Sequence, residues 1–237
     1  MNYKKNIVIT GASKGIGYQL VNRYIENANT VIAISRNKIL LDELENKCRE
    51  KFPDSQLHTI CFDLSDSEIE KKLIPKILSK IDKIDILINN AGILVNCNYE
   101  SFSHKKLKEV FEVNFFSVFI LIQKLLSSFA DDAHIINISS VGGITGSSKY
   151  KGLSVYSSSK SALNCLTECL AEEYKDLNLT FNALALGSVQ TEMFSKAFPG
   201  IKAQVTPEQI SKYIFNFSFS AKQTINGKII NVSRFNP

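Results

Sequence analysis

The eight residues Thr10-Gly11-Ala12-Ser13-Lys14-Gly15-Ile16-Gly17 follow directly on the apolar run Ile7-Val8-Ile9 and lead into a helical pattern. Ile16, Leu20, Val21 and Tyr24 recur on neighbouring turns of that helix. Glycine allows the backbone to turn more sharply than any other residue. A strand, a glycine turn and a helix at the start of a chain predict the first half of a βαβ unit. The turn also opens the helix N-terminus, where free amides and the helix dipole favour a negatively charged group such as a pyrophosphate.

The same alternation continues to the end. Strands are predicted near 6–10, 30–35, 57–62, 84–89, 134–139, 180–185 and 228–232, with helical segments between them. No Pro/Ser-rich linker, low-complexity stretch or repeat interrupts the 237 residues. That length suits one α/β domain, 1–237, with a parallel sheet wound on both faces by right-handed crossovers.

Two further segments place polar groups where such sheets hold ligands, at the carboxyl ends of strands, and a third pairs two such groups on a helix. Asp85-Ile86-Leu87-Ile88-Asn89-Asn90-Ala91-Gly92 runs an apolar strand into two amides and a glycine. Ile135-Ile136-Asn137-Ile138-Ser139-Ser140-Val141-Gly142-Gly143 delivers two hydroxyls in the same way. In Tyr156-Ser157-Ser158-Ser159-Lys160, four residues make about one helical turn, so an ammonium and a phenol share a face. A free tyrosine has a pKa of about 10 and exchanges protons poorly near neutrality unless a nearby positive charge favours the phenolate.

Composition narrows the alternatives. Cys48, Cys61, Cys97, Cys165 and Cys169 form no Cys-x-x-Cys pair, and small buried thiols in a reducing compartment are expected. His58, His104 and His134 show no metal-ligand spacing, so no metal is expected and packing or surface positions are. Met1-Asn2-Tyr3-Lys4-Lys5 enters the first strand without a signal-peptide apolar region, and no later stretch reads as approaching a membrane span. A soluble cytoplasmic protein is therefore expected. The net charge of +5 comes from basic residues interspersed with acids, as in Lys38 to Lys51, which points away from nucleic acid.

Taken in order, Thr10 to Gly17, Asp63, Asn89 to Gly92, Asn114, Ser140, Tyr156, Lys160 and Asn182 to Thr191 resemble the short-chain dehydrogenase/reductase family over nearly the whole chain. The resemblance implies a Rossmann-type doubly wound fold and hydride transfer between a nicotinamide and a carbonyl or alcohol. It implies Tyr156 as the acid, Ser140 as a hydrogen-bond donor to the carbonyl oxygen, and Lys160 lowering the phenol's pKa and fixing the ribose. Asn114 would support a water leading from Lys160 to solvent. The glycine loop (Thr10, Gly11, Ser13, Lys14, Gly15, Ile16, Gly17) would cradle the cofactor. Asp63 would meet the adenine with Leu64 beside it. Asn90, Ala91 and Gly92 would line the ribose side, and Gly187, Val189 and Thr191 would face the nicotinamide. Ser139 competes with Ser140, and Ser140 is preferred because Val141-Gly142 follows it.

After the second strand stand Ser35 and Arg36 rather than the acid that holds a ribose diol. Arg36 offers a fork of donors suited to a 2′-phosphate, and Lys14 adds a second charge, so NADP(H) is expected over NAD(H), which stays possible. Two departures from the family pattern stand out. Leu186 precedes Gly187 where proline is usual, which would loosen the approach to the nicotinamide. Ser233-Arg234-Phe235 ends the chain where Asp-Gly-Gly is frequent. Thr145 to Leu153 would shape the substrate entrance. Residues 191–205 would form a lid, with Met193, Phe194 and Phe198 lining an apolar pocket or pinning the lid down. Helices near 104–129 and 155–175, rich in Phe115, Phe116, Phe119, Leu121 and Ile122, suggest a helix-to-helix subunit contact, and the resemblance implies a homodimer or homotetramer. A 3-oxoacyl thioester reductase and a non-catalytic NADP(H)-binding sensor are the alternatives to a general carbonyl reductase.

Overall fold

The computed structural model describes residues 4–234; Met1, Asn2, Tyr3 and Phe235 of the expectations above lie outside it. Seven strands form a parallel sheet: β1 (Asn6–Thr10), β2 (Thr30–Ser35), β3 (Gln56–Cys61), β4 (Ile84–Asn89), β5 (Phe129–Ser140), β6 (Thr180–Leu186) and β7 (Lys228–Val232). Their spatial order is β3-β2-β1-β4-β5-β6-β7. The order reverses between β1 and β4, and the crevice outside their carboxyl ends is where such sheets bind ligands.

The helices are α1 (Gly15–Glu26), α2 (Lys38–Lys51), α3 (Ile74–Leu78), α4 (His104–Phe111), α5 (Ser117–Leu125), α6 (Ser154–Glu173), α7 (Glu192–Ala197) and α8 (Pro207–Ser220). Side chains alternate across each strand, so one sheet needs two apolar covers. Ile7, Ile9, Val31 and Ala33 pack with Leu20, Val21, Leu41, Leu44, Ile210 and Ile214 from α1, α2 and α8. Val8, Ile32 and Ile34 pack on the other face with Ile77, Leu121, Leu125 and Leu163 from α3, α5 and α6. Each such aliphatic side chain, fully buried, stabilises by about 1.5–3 kcal/mol before conformational entropy is set against it. Thr206, Pro207 and Gln209 start α8 with the capping box their order predicts: Thr206 Oγ1 accepts from Gln209 N, and Gln209 Oε1 accepts from Thr206 N.

Four sequence expectations need correction. The helix expected over 104–129 is broken by a π-helical turn at Glu112–Phe116, and β5 begins at Phe129 rather than near 134. The register slips between Ile84 and Ile86, and Asp132 takes φ 65°, so the first part of β5 is irregular and lacks a clean strand pattern. His104–Ser128, at 25 residues and mean hydropathy 1.6, is long and apolar enough to cross a membrane by length and composition. Its Val110, Val118, Leu121, Ile122 and Leu125 are buried, and the last four sit in the core on the sheet. Among the cysteines only Cys48 is buried; Cys97 is half-buried and Cys61, Cys165 and Cys169 are exposed, the last two on the outer face of α6.

Candidate active site

A cleft of ≈ 1400 Å³ opens at the carboxyl ends of the strands. Gly11, Ser13, Lys14, Gly15 and Ile16 form one wall, and Ser35 and Arg36 close its far end. Gly11 (φ 66°) and Gly15 (φ 53°) occupy the left-handed region that side chains disfavour. Gly17 allows the tightest packing within this turn, since a Cβ there would stand 2.2 Å from the Gly11 carbonyl oxygen. The N-terminus of α1 has no side-chain cap and no acid in its first turn, so its amides and dipole are left to face an anion. That arrangement fits the pyrophosphate of a dinucleotide.

Several residues assigned to the cofactor hold the wall together. Thr10 Oγ1 accepts the N–H groups of Asn90 (3.1 Å) and Ala91 (3.0 Å). Asn90 Nδ2 donates to the carbonyls of Thr10 and Gly11 at 3.0 and 3.1 Å, which commits its amide donors to the glycine turn. The hydroxyls of Ser13 and Ser35 meet at 2.7 Å and tie the turn to the end of β2. Asp63 Oδ1 accepts from Ser65 N and Ser65 Oγ, Leu64 is buried, and neither lines the cleft.

The proton-handling groups converge at the other end. Ser140 closes β5, and its hydroxyl stands beside the phenol of Tyr156 on α6, near enough to draw that phenol's pKa down. Ser139 points away instead: it is buried, and its Oγ donates to the Lys160 carbonyl at 3.3 Å. The strand's alternation thus separates the two candidate serines. Burial pushes the Tyr156 phenol up to about 12, with the Ser140 hydroxyl pulling the other way. Lys160, 3% exposed, donates from Nζ to the Ile138 carbonyl at 2.8 Å, and burial brings its ammonium down to about 8. The phenol therefore stands above its ordinary value, because burial outweighs the pull of Ser140, whereas the sequence leads one to expect Lys160 to lower it.

Asn114 sits in the π-helical turn, fully buried. Its Oδ1 accepts from Ile93 N at 2.8 Å, and its Nδ2 donates to Ile93 O and Ser159 Oγ, both at 3.0 Å. Gly92 separates it from Lys160: a Cβ there would lie 3.3 Å from Asn114 Oδ1 and 3.5 Å from Lys160 Nζ. Single-turn π-bulges of this kind often re-aim a side chain at a functional site.

Leu186 does not loosen the approach to this end. It continues β6 one residue further than expected and pairs with both Ser140 and Val232. Gly187 N then donates to Val232 O at 3.0 Å, and a Cβ on Gly187 would lie 2.6 Å from Ser233 Oγ. Val189 bridges to Val205, and Thr191 Oγ1 caps α7 by accepting from Phe194 N at 3.1 Å. Met193, Phe194 and Phe198 do line the cleft, with the two phenylalanine rings 5.1 Å apart. Tyr150 and Leu153 from the 145–153 loop also line it, and Lys149 Nζ holds that loop by donating to the carbonyls of Gly142 (2.8 Å) and Ile144 (2.6 Å). One contact is invisible in the sequence: Lys14 Nζ pairs with Glu192 Oε2 at 2.5 Å across 178 residues. Its only sequence signal is an acid in the first turn of a helix, which the dipole favours anyway.

Residues 5–202 match the sequence profile of the family described as short chain dehydrogenase, and the chain belongs to that family. It is accordingly an NAD(P)-dependent oxidoreductase acting on CH–OH and C=O groups of small molecules. Among its relatives is the 3-oxoacyl acyl-carrier-protein reductase FabG of Aquifex aeolicus, 29% identical over 95% of this chain and 94% of that one. Another is a 3alpha-hydroxysteroid dehydrogenase of Mediterraneibacter gnavus, 27% identical over 96% of this chain and 95% of that protein. A crystal structure from Escherichia coli CFT073 in complex with NADPH superposes with a TM-score of 0.86 at 27% identity, covering 96% of this chain and 95% of that one.

Proposed function

We propose that the chain reduces a small-molecule carbonyl with NADPH, with Tyr156 as proton donor and Ser140 as the group that orients the carbonyl oxygen. The observation that carries this reading is the meeting of Ser140 and Tyr156 on one cleft wall, with Lys160 one turn along the same helix. The bound nicotinamide supplies the hydride. Charge then develops on the carbonyl oxygen, and a hydroxyl already aimed at that position stabilises it without reorganising. A phenol held near 12 is protonated across the neutral range, which suits it to give a proton in the reducing direction. Lys160 binds the ribose, and its remaining charge eases the phenol's return to the protonated form by way of groups near Asn114. Arg36 and Lys14 take the 2′-phosphate, supported by Arg36 at the far end of the cleft, by Lys14 in the glycine wall leading to it, and by the missing acid after β2. Residues 191–205 act as a lid over the substrate, and its apolar side chains favour a substrate with an apolar body. The protein works in the reducing cytoplasm as a homo-oligomer.

NADPH oxidation by the purified protein across carbonyl compounds, including an acetoacetyl thioester and a 3-ketosteroid, tests the reading. Turnover with at least one is expected, and the better of those two would decide between relatives as guides to the substrate. Tight NADPH binding with no turnover on any carbonyl would favour a dinucleotide-binding sensor.

A further inference from the structure

Among the described residues six cations line the cleft, Lys14, Arg36, Lys160, Lys196, Lys202 and Arg234, against one acid, Glu192. That acid opens α7, yet one of its carboxylate oxygens lies 2.5 Å from Lys14 Nζ while the other lies 2.7 Å from Lys196 Nζ. Lys14, first, and then Lys196 draw the carboxyl down to about 2, so it is an anion at any working pH. Lys14 follows Ser13, whose bond to Ser35 sets that part of the turn beside Arg36. Acids that select an unphosphorylated ribose ordinarily stand at the end of the second strand. Here the one acid lining the cleft among the described residues meets Lys14 in the glycine turn instead, carried by residues 191–205.

We propose that Glu192 sets how strongly this protein discriminates NADPH from NADH, by holding on Lys14 the position that a 2′-phosphate would take. The inference rests on the reading of Lys14 and Arg36 as the phosphate site. A phosphorylated dinucleotide must displace the carboxylate from Lys14, whereas an unphosphorylated one leaves the pair intact. Displacement does not strand the charge, because Lys196 one turn along α7 keeps its bond to Glu192. The same exchange frees α7 from the glycine turn, so phosphate recognition and the position of residues 191–205 are coupled.

Dissociation constants for NADPH and NADH, measured by titration on the wild-type protein and on Glu192→Gln, Lys196→Met and Lys14→Met, test this. Exposed ion pairs are weak, so Glu192→Gln is expected to tighten NADPH by about three- to fivefold and to leave NADH within about twofold. Lys196→Met leaves the carboxylate to Lys14 alone and is expected to weaken NADPH selectively. Lys14→Met is expected to weaken NADPH and spare NADH. An unchanged NADPH-to-NADH ratio in Glu192→Gln, with Lys14→Met still selective, would overturn the role of Glu192 and leave the phosphate site standing. No selective effect of Lys14→Met would overturn the phosphate site itself, and the inference with it. Glu192 and Lys196 are largely solvent-facing, so both variants should fold, and an unchanged thermal midpoint checks that they do.

Discussion

Tyr156 and Lys160 are held by the same burial in opposite directions: the phenol is pushed up to about 12 and the ammonium down to about 8. Desolvation disfavours whichever form is charged, and it does so for both. If Lys160 binds the ribose as a cation, kcat/KM measured against NADPH should fall as pH rises through about 8, since that parameter reports the free protein. A flat profile from pH 7 to 9 would count against a charged Lys160. The same burial costs stability. Its folded pKa lies below the unfolded value, so the cost is fully present below about pH 8 and is relieved between about 8 and 10.5. Lys160→Met should therefore raise the denaturation free energy at pH 7 by about 1–3 kcal/mol while impairing catalysis, an exchange common at functional sites. Equal stability of the variant and the parent would show that the Ile138 carbonyl compensates the ammonium in full. At this scale the sequence was informative about identity and weak about direction. The Tyr156–Lys160 spacing was legible because four residues on a helix fix a shared face. The sign of the phenol's shift was not, because burial is a property of the assembled fold. The Lys14–Glu192 pair was hidden for the same reason.

Between elements, β5, β6 and α8 are joined by a buried polar network. His134 is fully buried, with Nδ1 3.0 Å from the Ser218 carbonyl and Nε2 3.1 Å from Asn182 Nδ2. A carbonyl only accepts and an amide nitrogen only donates, so the ring fits as the neutral tautomer with its proton on Nδ1. A proton on Nε2 would face the Asn182 donor. Burial accordingly brings His134 down to about 4, with the Ser218 carbonyl opposing the shift, Lys222 reinforcing it and Asp132 opposing it. The folded pKa is below the unfolded one, so this contribution is present above about pH 6.5 and is lost as pH falls towards 4. It amounts to about 2 kcal/mol of lost stability by pH 5. Urea denaturation of the parent and of His134→Gln at pH 7.5 and pH 5 should show a smaller pH difference in the variant; equal differences would remove His134 as the cause. Packing at the glycine turn is as exacting. Gly17→Ala would drive a methyl group into the Gly11 carbonyl and should cost about 3 kcal/mol or more, read from the same denaturation curves. The strands were readable to within a residue or two wherever the apolar run was continuous, as in β1, β2, β4 and β7. The start of β5 was not, because a slipped register and a left-handed Asp132 erase the alternation on which such readings depend. The π-helical turn around Asn114 was equally hidden, since an inserted residue leaves an apolar helical pattern nearly unchanged.

For the whole molecule, the two-sided core leaves a pair of neighbouring phenylalanines uncovered. Phe116 and Phe119 on the Glu112–Leu125 stretch are 46% and 41% exposed, although Leu121 and Ile122 beside them are buried on the sheet. Exposed aromatic clusters are uncommon on monomers, and a second copy of this chain is the expected cover. Phe119→Asp should reduce the mass measured by light scattering to that of one chain, whereas an unchanged mass would place the contact elsewhere. Within one chain, a cleft at the β1/β4 crevice is expected to bring Ser140, Tyr156 and Lys160 to a carbonyl. The most direct test is Tyr156→Phe, measured for NADPH binding and for carbonyl reduction on the best substrate found. Retained binding with a loss of turnover of about a hundredfold or more is the predicted result. Turnover that survives the loss of the hydroxyl would contradict the account.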